Sequence, residues 1–390
     1  MIVGAGVTGL TVAALLAHAG RLRLTVIDAA ARPVFSAEDD VALRVSAVAM
    51  GSAALLESVG AWEFVQGSRI CAYDRMCVWD ESDHADSSAA LKFDAAEFAV
   101  PQLGFIVENV LLQQALLNVL DNNDVELVFD APISALQHEG QKCSVAIDAR
   151  TFDADLVIGA DGARSFVRKS VGISTRDWPY GQSAIVTHLN PGKPHQNTAW
   201  QRFLRDGPLG MLPLSDGRIS VVWSTAEATA ERAMEASDEE LGEMLSAASD
   251  HVLGTLTVAG PRGAFALCAR HADKYVLPGI ALIGDAAHAV HPLAGQGANL
   301  GLQDAAVLAQ VISTALANDE HPGDRPVLRR YERERRGENA QMMHLMTGLN
   351  RLFATDSMLV RELRATGMRL FNNSGPLRDR AVSVALGVGR

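Results

Sequence analysis

The chain has 390 residues, 48% of them hydrophobic, enough for a large core and, at ~100–200 residues per domain, for two closely joined domains. A net charge of −12 argues against nucleic acid as a partner, because phosphate contacts need clustered Lys and Arg. The four cysteines, Cys71, Cys77, Cys143 and Cys268, form no C-x-x-C pair, which argues against a disulfide framework or a zinc site and leaves reduced, packed thiols. No run of ~18 apolar residues and no basic-then-apolar N-terminus is present, so neither a membrane span nor a signal peptide is expected and the cytoplasm is the expected location.

The chain opens with "MIVGAGVTGL", a Gly-x-Gly-x-x-Gly loop at Gly4, Gly6 and Gly9. "LTVAALLAHAG" follows as a helix of small and apolar residues, then "LRLTVIDA" as a strand ending in Asp28. This is a βαβ unit with an acid about twenty residues past the loop, the pattern of a dinucleotide site. Gly4 permits the tight turn, Gly6 lets a pyrophosphate approach the backbone, and Gly9 lets the helix pack closely. Helix-terminal N–H groups favour the phosphate charge, and Asp28 is placed to accept from a ribose. Only Met1, Ile2 and Val3 precede the loop, ~10 Å of strand at ~3.3 Å per residue. That start is expected to be short and weakly held, or to lie a few residues downstream of the natural one.

Further along, Leu156–Ile158 reads as a strand that runs into Gly159, Asp161, Gly162 and Arg164. "AIVTHLN", "TAWQRFL", "GMLPL" and "RISVVWS" read as successive strands between turns. Ala281–Ile283 reads as a buried strand with Gly284 and Asp285 at its exit. There an acceptor-only carboxylate can take hydrogen bonds from sugar-like hydroxyls. Pro292 then precedes "LAGQGANLG", whose Gly295, Gly297 and Gly301 leave main-chain N–H groups uncovered before a long helix from about Ala298. Such an N-terminus presents ~+0.5 of a charge. His288 and His291 read as packed, hydrogen-bonded side chains, since no second cluster completes a metal site. From Arg325 the sequence is helical to the end, with Met342, Met343, Leu345, Met346, Leu349, Leu352 and Phe353 mostly along one side.

In this order and spacing, the loop segment, "DADLVIGADGARSFVRKSVG" and "GIALIGDAAHAVHPLAGQGANLGLQDAAVLAQVI" resemble FAD-dependent aromatic hydroxylases. Over its whole length, with "LRVSAVAMGSAALLESVGAW", "GFIVENVLLQQALL" and "AWQRFLRDGPLGMLPLSDGRISVVWS", the chain is similar to the branch that hydroxylates ubiquinone precursors. The resemblance implies an α/β fold: a Rossmann-like FAD-binding domain (residues 1–72, 100–177 and 263–324) interleaved with a β-sheet-rich substrate domain (73–99 and 178–262), then a helical C-terminal region (325–390). It implies FAD as cofactor, NADH or NADPH as transient electron donor, and molecular oxygen and a prenylated phenol as substrates. Arg44 and Asn109 match cofactor-side positions of the family, and the backbone around Ala298 and Asn299 would meet the flavin, whose reduced form is an anion. Asp161 and Gly162 would join the opening loop and Asp285 on the same ligand. No catalytic base can be named, nor can the oligomeric state be read. A flavin oxidase, dehydrogenase or reductase on the same scaffold remains an alternative, as does a non-catalytic flavoprotein partner of a quinone-synthesis assembly.

Residues 325–390 hold 13 Arg, no Lys and 6 acidic residues, a surplus of +7 against −19 for the rest. A prenylated phenol is nearly insoluble in water, so this basic region is a candidate for peripheral docking at the inner face of a membrane, with Arg329, Arg330, Arg333 and Arg336 as charges facing lipid. Packing of the apolar stripe on the enzyme's own body, or in a dimer, is the alternative.

Overall fold

The computed structural model describes residues 1–148, 150–355 and 357–387. Strands Ile2–Val3 and Leu24–Ile27 are buried throughout and apolar except for Thr25, the composition of parallel strands covered on both faces. Among the described residues they sit inside a six-stranded sheet, in the order Val276–Leu277, Ile280–Leu282, Val157–Gly159, Ile2–Val3, Leu24–Ile27, Val125–Val128. Its pairings are parallel except the edge pair Val276–Leu277 with Ile280–Leu282. The first strand is as short as its sequence requires, yet it is held on both sides. Ile2 pairs with Ile158 and Val26, and the Met1 amine donates to Leu156 O at 2.9 Å.

Seven helices position the site. Helix α1 (Val7–His18) follows the opening loop and α2 (Asn109–Asp121) lies beside it. The short α3 (Phe166–Ser170) follows the strand Val157–Gly159. The apolar α4 (Gln296–Ala317) packs on α1, so closely that a Cβ on Gly301 would lie 2.4 Å from Thr8 Oγ1. It is long and apolar enough to cross a bilayer, but most of it is buried in this fold, as a core helix is. Helices α5 (Arg325–Ala354), α6 (Met358–Asn372) and α7 (Pro376–Leu386) form the C-terminal region.

Among the described residues a second, nine-stranded sheet takes strands from separate stretches, among them Arg75–Asp80, Thr175–Pro191, Thr198–Leu204, Gly207–Pro213 and Ile219–Ala226. Each expected strand of the 184–224 stretch is present. Gly263–Ala272, expected with the cofactor segment, instead pairs antiparallel with Thr175–Pro191 in this sheet. Strand alternation divides the sheet's faces. Trp79, Leu209, Met211, Val221 and Trp223 point into a core closed by Leu241 and Leu245. Gln201, Pro208, Gly210, Leu212, Val222 and Ser224 face a cavity.

The apolar stripe of α5 largely packs on the body. Met343, Met346 and Phe353 are buried, and Met346 and Phe353, with Met342 and Leu349, join Val78, Phe203 and Leu293. Leu345 and Leu352 remain exposed. Of the four candidate lipid-facing arginines, Arg330 is committed elsewhere, donating twice to Glu320 at 2.6 Å. The four cysteines are free thiols, and burial pushes Cys71, Cys77 and Cys143 up to about 11.

Candidate active site

The opening loop has the geometry of an anion cradle. Gly4 has φ +105°, and a Cβ there would lie 2.4 Å from Ala160 O; one on Gly9 would lie 2.0 Å from Gly4 O. These two glycines are compelled by protein packing. Gly6 is different: a Cβ there would meet nothing within 4 Å, and Gly6, Val7 and Thr8 line the cavity. The loop is braced from behind. Asp28 accepts from Ala5 N at 2.6 Å and from Ala30 N at 2.8 Å, and Gln113 Nε2 donates to Ala5 O at 2.9 Å. Asp28 therefore shapes the loop, and each of its oxygens keeps acceptor capacity. Gln113 lines the cavity and carries no motif signal beyond its place one turn into α2.

Arg44 precedes the strand Val45–Ala49 and lines the cavity without an ion pair to any described residue. Asn109 opens α2, also on the cavity, and its Oδ1 accepts from Ser46 Oγ at 2.6 Å. Glu108 behind it is buried. It accepts from Ala42 N at 2.6 Å and Arg69 Nε at 2.7 Å, which ties down the segment that carries Arg44. This pair has no sequence signature because its members lie 39 residues apart.

Asp161 and Gly162 divide their roles. Gly162 (φ +77°) lines the cavity. The Asp161 carboxylate instead caps α3, with Oδ2 accepting from Phe166 N and Val167 N at 2.6 and 3.0 Å. A helix of five residues follows Asp161 with unsatisfied N–H groups, and one oxygen of the nearest carboxylate satisfies them. Its Oδ1 remains buried without a partner.

Asp285 stands on the cavity wall with no hydrogen bond to a described residue. Solvent reaches it through the cavity. Burial raises its carboxyl above the usual range, and His288 and Arg44 oppose this. Gly295 (φ +63°) caps α4, whose first residues Gln296, Gly297 and Ala298 line the cavity beside Pro292. Gly297, like Gly6, has open space where a Cβ would be. Asn299 is turned away. Its Oδ1 accepts from Ala49 N at 2.9 Å and its Nδ2 donates to Ala47 O at 2.9 Å, which locks the helix start to the strand that follows Arg44. The side chain serves as a clamp, and only its backbone belongs to the helix terminus.

A fully buried cluster supports this loop from below. Asp304 on α4 accepts from Gly284 N at 3.0 Å, His288 Nε2 at 2.5 Å, Arg335 Nε at 2.7 Å and Asn339 Nδ2 at 3.0 Å. Burial alone would raise its carboxyl, but His288, Arg335 and Asn339 outweigh that and hold it at about 2. His288 is thus a structural partner. His291, also buried, faces Gln182 Oε1 at 3.3 Å, and burial lowers it to about 4.

The opening loop, Arg44, Asn109, Gly162, Asp285 and the start of α4 border one cavity of about 900 Å³. One end is polar and glycine-lined (Gly6, Arg44, Gly162, Asp285, Gly297); the other is apolar, with Met76, Phe93, Leu103, Leu212 and Val222. Helix α7 closes the apolar end with Val382 and Leu386, which pack on Ala95 and Leu103. Tyr73, on the same wall, has its phenol pushed up to about 12 by burial. The polar end suits FAD. Two open glycine cradles lie at helix N-termini where anions are favoured, and an unpartnered carboxylate is free to receive hydroxyl donors.

Residues 1–345 match the FAD binding domain family. The chain is 36% identical to the 3-demethoxyubiquinol 3-hydroxylase of Escherichia coli (strain K12), over 99% of this chain and 98% of that protein. It is 32% identical to the human mitochondrial ubiquinone biosynthesis monooxygenase COQ6, over 99% and 92%. Among solved structures, PqsL of P. aeruginosa in complex with 2-aminobenzoylacetate shares the fold, with a TM-score of 0.75 at 23% identity over 94% of this chain and 98% of that one.

Proposed function

Because this chain belongs to the FAD-dependent aromatic hydroxylases, in the branch that serves ubiquinone biosynthesis, we propose that it inserts one oxygen atom into the phenolic ring of a prenylated ubiquinone precursor, with NADH or NADPH as electron donor. The observation that carries this reading is the continuity of one cavity from a dinucleotide cradle to an apolar chamber. Gly6, Arg44, Gly162, Asp285, Gly295 and Gly297 would hold FAD, which when bound supplies the electron transfer and oxygen activation that side chains cannot. The N-terminus of α4 borders the cavity with Gln296, Gly297 and Ala298 and favours negative charge beside it. The apolar wall and α7 exclude water and bury a ring. Among the described lining residues, no histidine and no carboxylate other than Asp285 is present. Ring orientation and dryness, rather than a base on the apolar wall, are therefore what the chain contributes to the oxygen-insertion step.

The test supplies the FAD-loaded protein with NADH or NADPH, isotopically labelled molecular oxygen and a panel of prenylphenols. The expected product carries one labelled oxygen on the ring. Nicotinamide consumption with no label in the product would instead make the protein an oxidase or dehydrogenase, and no phenol-dependent consumption at all would make it a non-catalytic flavoprotein.

This reading extends to where the substrate is met: a peripheral position on the cytoplasmic face of an anionic membrane. Helix α6 supports it by turning Leu359, Leu363 and Leu370 outward, 73, 69 and 68% exposed, on one face by their spacing and opposite the buried Met368. Arg351, Arg369 and Arg380 are exposed on the same three C-terminal helices. A second copy fits this surface less well, because a two-fold interface sets the same patch against itself and would oppose two regions of +7.

A further inference from the structure

The sheet wall of the apolar chamber carries two polar side chains that the rest of the protein leaves unused. Gln201 is 7% exposed and Ser224 is 1% exposed, and both line the cavity. Neither makes a hydrogen bond to any described residue, although nearly all buried polar side chains are bonded. Gln182, on the strand next to that of Ser224 in the same sheet, shows the ordinary outcome. Its Nε2 donates to Asp206 O at 2.7 Å, and its Oε1 accepts from Asn350 Nδ2 at 3.2 Å. In the strand that holds Ser224, the hydroxyls of Ser220 and Thr225 are also unpartnered, but they are sealed inside protein. Ser224 Oγ differs in reaching open space.

The register places these groups around a gap. Gln201 pairs across to Gly210, and Gly210 to Val222; Ser224 lies two residues beyond Val222 on the same face. A Cβ on Gly210 would meet nothing nearer than Val222 O at 3.7 Å. The wall is therefore flat at Gly210, with one unsatisfied amide on one side and one hydroxyl on the other. Both groups donate and accept, and both are neutral. Arg44, the one cation among the described lining residues, stands at the polar end near Asp285.

We propose that Gln201 and Ser224 are the subsite that grips the oxygen substituents of the ring over Gly210, so that they select neutral hydroxy- and alkoxy-substituted rings over ring carboxylates and decide which carbon faces the reacting centre. This rests on the reading of the cavity as a phenol hydroxylase site. Both are positioning residues: they hold the ring and take no part in bond making.

The test uses FAD-loaded wild type, Gln201→Leu, Ser224→Ala and Gly210→Ala with three ligands: a prenylated phenol, its methyl ether, and the matching ring carboxylate. Dissociation constants come from perturbation of the flavin absorbance, and products are resolved by ring position. Wild type is expected to bind the phenol and the ether and reject the carboxylate. Gln201→Leu and Ser224→Ala are each expected to bind the phenol about tenfold more weakly, the size of one lost hydrogen bond, and to give mixed ring isomers at full flavin occupancy. Gly210→Ala should weaken both the phenol and the ether by filling the gap. Unchanged affinity and an unchanged isomer ratio in both polar variants would overturn the subsite, as would loss of flavin in place of loss of ring binding. The binding measurement needs no turnover. If wild type binds the phenol through these residues but never hydroxylates it, the subsite stands and the functional reading falls.

Discussion

Gly6 and Gly9 look alike in the sequence and behave oppositely in space. Valine at Gly6 would project into the open cradle, so Gly6→Val should fold with a near-normal melting temperature yet lose flavin. Alanine at Gly9 would drive into Gly4 O, so Gly9→Ala should cost about 1–3 kcal/mol of stability, read by denaturant titration. Asp285→Ala removes an unpartnered acceptor at the polar end of the cavity and should weaken flavin retention about tenfold without lowering stability. Equal flavin content in wild type, Gly6→Val and Asp285→Ala would remove these residues from the cofactor site. Acid sensitivity also belongs to single residues. His271 and His291 are both lowered to about 4 by burial, His271 also by His288 and Arg336. The folded protein keeps them neutral, while the unfolded chain takes up protons below ~6.5. Stability should therefore fall as pH drops from ~6.5 towards 4, and His291→Gln should flatten that slope. Asp304, held at about 2, acts in a separate window: its contribution is complete above ~4 and disappears as pH falls towards ~2.

At the scale of elements, the Asp304–Arg335 pair joins α4 to α5 beneath the loop that carries Asp285. Both side chains are fully buried, so breaking the pair leaves a buried charge unbalanced. Arg335→Met should cost about 3–5 kcal/mol. The double variant Asp304→Asn, Arg335→Met removes that charge, while the new side-chain amide can still accept from Gly284 N. It should recover part of the loss, with a coupling of about 0.5–3 kcal/mol in a double-mutant cycle by urea unfolding. Strict additivity would mean that the pair is not the joint between these helices.

At the scale of the whole molecule, an acidic body carries a basic, leucine-bearing C-terminal region that also closes the chamber through α7. The protein should sediment with anionic vesicles at low ionic strength and be released as salt rises, since each Arg near such a surface contributes ~1 kcal/mol. Leu359→Glu with Leu363→Glu should abolish binding, and Arg351, Arg369 and Arg380 changed together to Gln should weaken it. Binding that ignores lipid charge, or none, would reject the membrane reading.

What the sequence by itself determined about this protein was local: the βαβ unit with its three glycines, Asp28 at a strand end, Asp285 at a strand exit and the glycine-rich start of α4. Each depends on a backbone conformation or a helix terminus that a few neighbouring residues specify. Tertiary structure decided how side chains at those places are used. Asp161 spends one oxygen on capping the helix just after it, and Asn299 spends its amide on a strand clamp, because unsatisfied N–H and C=O groups arrive beside them. Glu108–Arg69, Asp304–Arg335 and the unpaired Gln201 and Ser224 were invisible for the same reason. Hydrogen-bond satisfaction is a property of what the fold brings within reach, and those partners, or their absence, come from strands and helices tens to hundreds of residues away.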